Sequence, residues 1–520
     1  MDARKTLGRV VRPNSPVHAV SALLLAPALL LSLSCSASIS LSGASVGGLG
    51  VTTGGQQDIA AARSTIEQGE IPPPESITVE GFLSEHSIDL EQPEDAGLLY
   101  AATAVAWNKD FDTFSPLATV QLGFGTLLDA ETFERPSLNL CLVIDRSGSM
   151  GEFVDIRSDT TKLDAVKIAV DRLLAQLGGL DQVSIVVFNH ASATILDAAA
   201  GNDLATIKSA LDGIESGGGT DLVGGLQRGY RVADEHRNSI RSNRLIVFTD
   251  ALLTTANKDR TTEFIDTMNQ YAAEDIGATI FGVGVDFGHE VAFEISQVRG
   301  GNYFFLSDYE RIVSVFDEEF DYLVTPVAYD VELTVAVPFE FDIEDIYGVP
   351  TSGPIGHTVD LSVPTLFLSG REGGGAILVR VRAGGFVDFT VDNTVAEIAL
   401  AYTTPEGETE TPPIVRAVLP AGLDPDAAES YFETEGSQRA VLLLNTALVL
   451  RNACNDVYQW GGFFIPAADR ERAITRLTEF LPYFDALAAE LEDRTSPTSR
   501  SLSDERALVE KLLDNILWAI

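Results

Sequence analysis

The spacing of apolar positions changes several times along the chain, and its clearest pattern lies between residues 137 and 325. Five nearly solid apolar runs have the composition of buried strands: Leu138–Ile144, Val183–Phe188, Leu245–Phe248, Ala278–Val283 and Tyr303–Leu306. Between them, apolar residues recur with helical period, as from Leu163 to Leu177. Strands that are apolar on both faces and alternate with helices predict a Rossmann-like, doubly wound α/β domain with a mostly parallel sheet.

One strand of this domain is expected to run the other way. The segment Ala191–Leu196 follows the second apolar run after only two residues. Parallel neighbours need a crossover of a dozen or more residues. The short connection therefore predicts one antiparallel edge strand.

The residues on either side of this domain have different patterns. Residues 326–423 contain short runs separated by Gly, Pro and Asp, which predict a β-sandwich-like domain. The predicted strands are Tyr329–Val337, His357–Val363, Ala376–Val381, Phe386–Val391 and Val395–Tyr402. Residues 61–136 predict an N-terminal β-rich accessory segment, with strands near Leu98–Val105 and Leu117–Leu122.

Residues 424–520 have helical periodicity. The predicted helices are Arg439–Arg451, Asp469–Leu491 and Asp504–Ile520, and Pro482 is expected to kink the second of them. The carboxyl-terminal region is therefore predicted to be helical.

Residues 1–34 have the features of an export signal. A basic leader precedes the apolar stretch Ala19–Leu33, which is too short to cross a bilayer comfortably. The segment ends Ser32-Leu33-Ser34-Cys35, which resembles the lipobox at which bacterial lipoprotein signals are cut before a lipidated cysteine. This resemblance implies a lipid anchor on Cys35. Ordinary signal cleavage near Ala37 and Ser38 is the alternative.

The residues that follow the cysteine indicate how the chain is attached. Residues 35–60 are mostly Ser, Gly, Ala and Thr with little charge, which is typical of a flexible tether. Ser36, by resemblance to Gram-negative lipoproteins, points to the outer membrane of the bacterial cell envelope. We expect the chain to be exported and to contact the membrane only through its lipid anchor.

Composition excludes some classes of partner. The 520 residues include 35 Lys and Arg against 76 Asp and Glu, a net charge of −41. Such a field repels nucleic acid and anionic lipid. The three cysteines are too few for a disulfide scaffold, and the sequence has no CxxC pair.

The candidate chemistry lies on three loops of the α/β domain. The first strand leads into Asp145-Arg146-Ser147-Gly148-Ser149, Thr220 follows a glycine run before a helix, and Asp250 ends another strand. In a doubly wound sheet, loops at the carboxyl ends of the strands meet in one crevice. Two carboxylates and three hydroxyls are hard oxygen donors, which suit Mg²⁺ or Mn²⁺, or Ca²⁺, better than zinc.

These residues carry a family resemblance. Asp145-x-Ser147-x-Ser149 with Thr220 and Asp250, in this order, resembles the metal-ion-dependent adhesion site of von Willebrand factor type A domains. The resemblance implies that Ser147, Ser149 and Thr220 contact the metal, and that the two aspartates bind it directly or through water. Ala251 stands where many members have glycine.

The flanking segments are similar to those of the bacterial YfbK-type lipoproteins. The similarity rests on Ile71–Glu75, Asp330–His357 and Arg439–Arg451. It implies an envelope protein whose type A domain, residues 137–325, is flanked by the other segments.

Together these features predict a non-enzymatic, metal-dependent protein-binding module. Its metal would keep one position for an Asp or Glu carboxylate of a partner protein, with neutral or basic surroundings that suit the acidic chain. Two alternatives remain: a structural envelope scaffold in which the metal ties the loops together, or a metal-dependent hydrolase. The hydrolase is disfavoured because no general base accompanies the ligands and residues 137–325 contain no G-x-S-x-G motif. No pattern indicates the oligomeric state.

Several other residues receive structural interpretations. Asp221 opens a helix and is read as its N-cap rather than as part of the metal site. His190 is read as a surface loop residue, and Gly217–Gly219 as room for the metal loop, because the run lacks the Lys-Ser/Thr of a P-loop. Cys141 and Cys454 are expected to be buried thiols, with a disulfide between them left open.

Overall fold

The fold is described from a computed structural model of the chain. The residues that the structure describes are 48–53, 59–93, 96–129, 133–154, 159–251, 258–284, 289–306, 315–349, 355–369, 376–424, 430–458, 465–493 and 500–518. The predicted signal (1–34) and Cys35 lie outside them. All the described residues belong to one compact unit.

The strands and helices are numbered in chain order. The strands are β1 Gly48–Thr53, β2 Leu99–Lys109, β3 Pro116–Asp129, β4 Leu138–Asp145, β5 Gln182–Phe188, β6 Ser192–Ala200, β7 Ser242–Thr249, β8 Ile276–Val283, β9 Gly301–Leu306, β10 Pro326–Ala336, β11 Phe341–Tyr347, β12 Thr358–Ser369, β13 Ala376–Ala383, β14 Asn393–Thr403, β15 Thr409–Glu410, β16 Val415–Leu419 and β17 Tyr431–Phe432. The α-helices are α1 Ala60–Glu67, α2 Val79–Ser84, α3 Lys162–Leu174, α4 Leu204–Asp212, α5 Leu222–Glu235, α6 Lys258–Ala272, α7 His289–Ser296, α8 Phe320–Leu323, α9 Glu435–Tyr458, α10 Ala467–Ala488 and α11 Leu502–Trp518.

The α/β domain is built on a six-stranded sheet with the order β6-β5-β4-β7-β8-β9. Its strand pairs are parallel except for β5 and β6, which are antiparallel. The predicted doubly wound domain and its antiparallel edge strand are therefore confirmed.

The central strand shows why this sheet reads as solid apolar runs. In β4, Leu140, Leu142 and Ile144 point to a core that includes residues of α3. Cys141 and Val143 point to the opposite core, which includes residues of α5 and α6. Both faces of the strand are covered by helices, so neither face tolerates polar side chains.

The remaining strands form a single eleven-stranded antiparallel sheet with the order β11-β13-β3-β1-β12-β10-β14-β15 along its main path. In addition, β16 pairs with β14, and β2 pairs with both β3 and β17. The sheet curls around one apolar core, and its far parts meet where the Thr103 hydroxyl donates to the Arg416 carbonyl at 3.3 Å. A β-sandwich-like region was predicted, but it is larger than residues 326–423.

Three details of the flanking predictions differ from the structure. The N-terminal segment 61–136 is not a separate β-rich piece, because it contains the helix α2 and its strands β2 and β3 belong to the eleven-stranded sheet. The expected strand Phe386–Val391 is a series of turns. The expected tether, residues 35–60, contains the strand β1, which pairs with β12 and β3.

The predicted carboxyl-terminal helices are present, and they pack with the helices near the amino terminus. In one apolar core, residues of α1 and α2 lie against residues of α9, α10 and α11. Pro482 falls inside α10, which continues to Ala488. None of the described helices is long and apolar enough to cross a membrane.

A buried ionic cluster joins the first and last helices of this core. Arg63 Nη2 lies 2.6 Å from Glu505 Oε1 and 2.7 Å from Glu85 Oε2. His86 Nε2 lies 2.9 Å from the same Glu505 oxygen. Because Arg63 belongs to α1 and Glu505 to α11, these ion pairs hold together segments more than 400 residues apart.

The six-stranded sheet contacts the eleven-stranded sheet through Arg244, near the start of β7. This side chain is almost completely buried, and its Nη2 donates to Thr279 Oγ1 and to the Gly300 carbonyl, both at 3.1 Å. The guanidinium lies 5.2 Å from the centre of the Phe367 ring on β12, and Thr365 Oγ1 accepts from the Gly300 amide at 2.7 Å.

The two described cysteines lie in different cores. Cys141 is buried in the α/β domain and Cys454 is buried in the helical region, and both are free. Burial raises the pKa of both thiols. The interpretation of both as buried thiols is confirmed, and they do not form a disulfide with each other.

Candidate metal centre

The candidate centre lies at the carboxyl edge of the parallel sheet. Asp145 is the last residue of β4, and Asp250 follows the last residue of the neighbouring strand β7. The two strands pair in parallel register, with Ile144 opposite Phe248. Both carboxylates therefore leave the sheet at the same edge, as the sequence predicts.

A chain of oxygen atoms links the two loops. Ser147 Oγ lies 3.1 Å from Ser149 Oγ, and Ser149 Oγ donates to Asp250 Oδ1 at 2.9 Å. Ser147 and Asp250 are buried, whereas Ser149 is half-buried. The structure thus brings together two hydroxyls and one carboxylate from segments about a hundred residues apart.

Asp145 is fixed beneath this chain of oxygens. Its Oδ1 accepts from the Ser147 amide at 2.8 Å, and its Oδ2 accepts from the Thr249 hydroxyl at 2.6 Å. Burial raises the pKa of Asp145, the Asp250 charge adds to that rise, and the hydrogen bonds from Thr249 and Ser147 offset only part of it. A cation beside this carboxylate would stabilise its charged form.

Thr220 belongs to the loop that closes the third side. The Gly148 amide donates to the Gly218 carbonyl at 3.0 Å, and the Gly217 amide donates to the Arg146 carbonyl at 2.8 Å. These backbone bonds place the glycine loop against the Ser147–Ser149 loop. Thr220 itself is exposed, and the structure brings the loop that carries it to the centre.

The glycine run allows its loop to lie close to Asn189 and His190. Gly218 has a φ of +93°, and a Cβ there would lie 2.9 Å from atoms of Asn189 and of His190. Asn189 Nδ2 donates to the Gly217 carbonyl at 2.8 Å, and the Asn189 carbonyl accepts from the Asp221 amide at 2.6 Å. Glycine at position 218 therefore allows this loop to pack closely against Asn189 and His190.

Two neighbouring polar residues have the structural positions expected for them. The Asp221 carboxylate caps α5 by accepting from the Gly224 amide at 3.4 Å, and it also binds Arg260 at 2.8 Å. His190 is exposed in the loop after β5.

Lys162 is a further charged residue of the centre, and the sequence analysis missed it. Its Nζ donates to Asp250 Oδ2 at 2.8 Å, and both side chains are buried. The residues are 88 positions apart, so no local pattern connects them. A lysine in the first turn of a helix is also electrostatically unfavourable, which makes it an unexpected candidate.

The donors have the chemistry of a hard-cation site with few carboxylates. No cluster of three or more His, Cys, Asp and Glu residues that could hold a metal ion occurs in the part of the chain that the structure describes. The candidate centre contains only two carboxylates, and hydroxyls supply its other oxygen atoms. Such a donor set fits Mg²⁺ or Mn²⁺ and does not fit zinc.

Comparison with known proteins identifies relatives of the α/β domain. Residues 140–252 match the von Willebrand factor type A domain family. The chain is 25% identical over 300 residues to the uncharacterized protein YfbK of Escherichia coli (strain K12), and 28% identical over 154 residues to the uncharacterized protein sll0103 of Synechocystis. These matches cover 55% and 29% of this chain. They cover only 49% and 34% of the two relatives, so the chain spans about half the length of the first and a third of the second.

A solved structure is also similar. The von Willebrand factor type A protein from Catenulispora acidiphila superposes with a TM-score of 0.47 at 14% identity, covering 80% of this chain and 96% of that one.

Proposed function

With residues 140–252 forming a von Willebrand factor type A domain, we propose that the chain is a non-enzymatic, metal-dependent protein-binding module. The proposed ligands of its divalent cation are Asp145, Ser147, Ser149, Thr220 and Asp250. The observation that carries the proposal is the continuous chain of oxygens from Ser147 through Ser149 to Asp250 at the open edge of the sheet.

The proposed ion is Mg²⁺, with Mn²⁺ or Ca²⁺ as substitutes. A bound ion supplies an open coordination position that an Asp or Glu carboxylate of a partner protein can fill. The protein holds the oxygens in place: the Asp145 carboxylate is fixed by two hydrogen bonds, and the glycine loop is fixed by backbone bonds to residues 146 and 148. With a net charge of −41, the chain favours a partner whose carboxylate has neutral or basic surroundings.

The experiment is a binding assay in Mg²⁺ and in chelator. Proteins recovered from a bacterial envelope extract on the immobilised full chain are compared under the two conditions. We expect Asp145→Ala to lose the partners that need Mg²⁺. The matched control is Asp171→Ala, which removes an exposed carboxylate paired with Lys208 on the same domain. Equal recovery with Mg²⁺ and with chelator contradicts the proposal.

A structural scaffold is the second candidate, because the loops of the centre already form one connected unit. Backbone hydrogen bonds join residues 146 and 148 to the glycine loop without any ion. A metal that only tied these loops would raise the melting temperature and leave partner recovery unchanged. The two readouts therefore separate a binding role from a scaffold role.

We also propose that the chain is exported to the bacterial envelope and held there by a lipid on Cys35. The support is the basic and apolar leader that ends in the lipobox-like sequence before this cysteine. Labelled palmitate fed to producing cells should enter the wild-type chain and the Cys454→Ser control but not Cys35→Ser. Labelling of Cys35→Ser would refute the anchor.

A further inference from the structure

Lys162 gives the candidate centre a cation of its own. Asp250 is shared: its Oδ1 accepts from the Ser149 hydroxyl at 2.9 Å, and its Oδ2 accepts from Lys162 Nζ at 2.8 Å. Only 9% of the Lys162 side chain and 2% of the Asp250 side chain are exposed. One of the two carboxylates of the centre is therefore already paired with a buried ammonium.

The lysine is held in this position by its surroundings. Its amide donates to the Glu152 carbonyl at 2.9 Å, and Thr161 caps the helix that it opens. Its aliphatic part lies over Gly284, where an added Cβ would come within 3.1 Å of Lys162 Cε. Gly284 has a φ of +66°, a conformation that favours glycine, and so leaves room for the lysine.

This position is electrostatically costly for a lysine unless the ion pair is made. The amino-terminal end of a helix carries partial positive charge, which repels an ammonium. Burial adds a desolvation cost that only a close counter-charge offsets. The charge of Asp250 offsets both costs. Lys162 is therefore held by an ion pair with a residue of the centre.

We propose, resting on the metal-binding function above, that Lys162 is a resident counter-ion that weakens metal binding by the free chain and couples it to binding of a partner carboxylate. Two carboxylates and one ammonium leave one net negative charge for a divalent ion. Once the ion is bound, the centre has one excess positive charge. A partner's carboxylate neutralises it, so ion and partner stabilise each other.

The test measures the ion alone on the full chain. Mn²⁺ binding is followed by the electron paramagnetic resonance of free Mn²⁺, and Mg²⁺ binding by calorimetry. Lys162→Met keeps the buried aliphatic part and removes the charge, so we expect it to bind Mn²⁺ about tenfold more tightly or better. Lys162→Arg, which keeps the charge, and Lys167→Met, on the same helix but bonded to the Ile214 carbonyl, should bind like the wild type.

A second measurement tests the coupling. Acetate serves as the carboxylate probe and should strengthen Mn²⁺ binding by the wild type more than by Lys162→Met. Melting temperatures in chelator verify that each variant is folded. If Lys162→Met binds Mn²⁺ no more tightly than the wild type, or acetate strengthens both equally, the counter-ion role is refuted.

The outcomes also separate this inference from the proposed function. Asp145→Ala should abolish Mn²⁺ binding in either background. If the wild type and Lys162→Met both fail to bind Mn²⁺, the metal function itself is wrong and the inference falls with it. If both bind with equal affinity, the metal function stands and only the role of Lys162 is rejected.

Discussion

Replacing Glu505 by glutamine removes the central carboxylate of the buried cluster between α1 and α11. Glu505 is fully buried, and its Oε1 contacts Arg63 Nη2 at 2.6 Å and His86 Nε2 at 2.9 Å. Glutamine has nearly the same size, so the change tests the charge and not the packing. Arg63 keeps one counter-ion, Glu85 at 2.7 Å.

Two arguments give the same magnitude. Burial alone would raise the pKa of Glu505, but the Arg63 charge and the contacts with His86 outweigh it and lower the pKa to about 2 from 4.5. At 1.36 kcal/mol per pKa unit, that difference corresponds to about 3 kcal/mol of stability. Removing one member of a buried ion pair costs about 3–5 kcal/mol. Because Arg63 keeps Glu85, we expect a loss of about 3 kcal/mol, at the lower end of that range.

The sign of the pH dependence follows from the lowered pKa. The contribution of Glu505 is fully present above the unfolded value near 4.5, and it is lost as the pH falls towards 2. The difference in stability between wild type and Glu505→Gln should therefore shrink as the pH falls below about 4.5.

Hydrogen exchange read by mass spectrometry measures this difference locally, in peptides that cover residues 60–67 and 502–518. The control is Glu510→Gln, an exposed partner of Arg506 on the same helix, which should change the free energy of opening by less than about 0.5 kcal/mol. Equal protection in the two variants at pH 7, or a difference that persists unchanged to pH 2, would refute the reasoning.

Three further predictions concern the α/β domain and the buried thiols. In chelator, the melting temperature of Asp145→Asn should be no lower than that of wild type, because burial disfavours the charged carboxylate and raises its pKa. The variant should also lack any increase in melting temperature that Mg²⁺ gives the wild type. Gly229→Ala should cost about 1–3 kcal/mol in urea unfolding, since its Cβ would lie 2.3 Å from Val143 Cγ2, and a smaller loss contradicts this packing. Iodoacetamide should modify Cys141 and Cys454 only after denaturation. Modification of either cysteine in the native protein, detected by peptide mapping, would contradict their burial.

The α/β domain was predictable because its signals are local. Each parallel strand is apolar on both faces and is read directly from a solid run such as Leu138–Ile144. The antiparallel edge strand β6 followed from the length of one connection. The approach of Asp145 to Asp250 followed from the rule that the carboxyl ends of parallel strands share one edge.

The eleven-stranded sheet was less predictable because its pairings are remote. The strand β1 gains its partners from β12 and β3, far along the chain, and its glycine-rich sequence resembles a linker. Phe386–Val391 has strand composition, but the Asp388 carboxylate accepts from the Thr390 amide and hydroxyl, and this local turn replaces a strand.

The same limit explains what was missed in the candidate centre. Asn189 and Lys162 contribute through contacts with segments 28 and 88 residues away, and neither has a sequence signature of its own. The motif residues were found because their spacing repeats a known pattern, whereas these two were found only from geometry.

The burial of Arg244 has a mechanical consequence. It lies near the start of β7, and Asp250 follows the other end of the same strand. If a partner binds through a metal ion held by Asp250, as proposed, tension on it would be transmitted along this central strand to the guanidinium that contacts Phe367. There the load passes into β12, which is hydrogen-bonded on both sides, by β1 and β10, and so resists being pulled out alone.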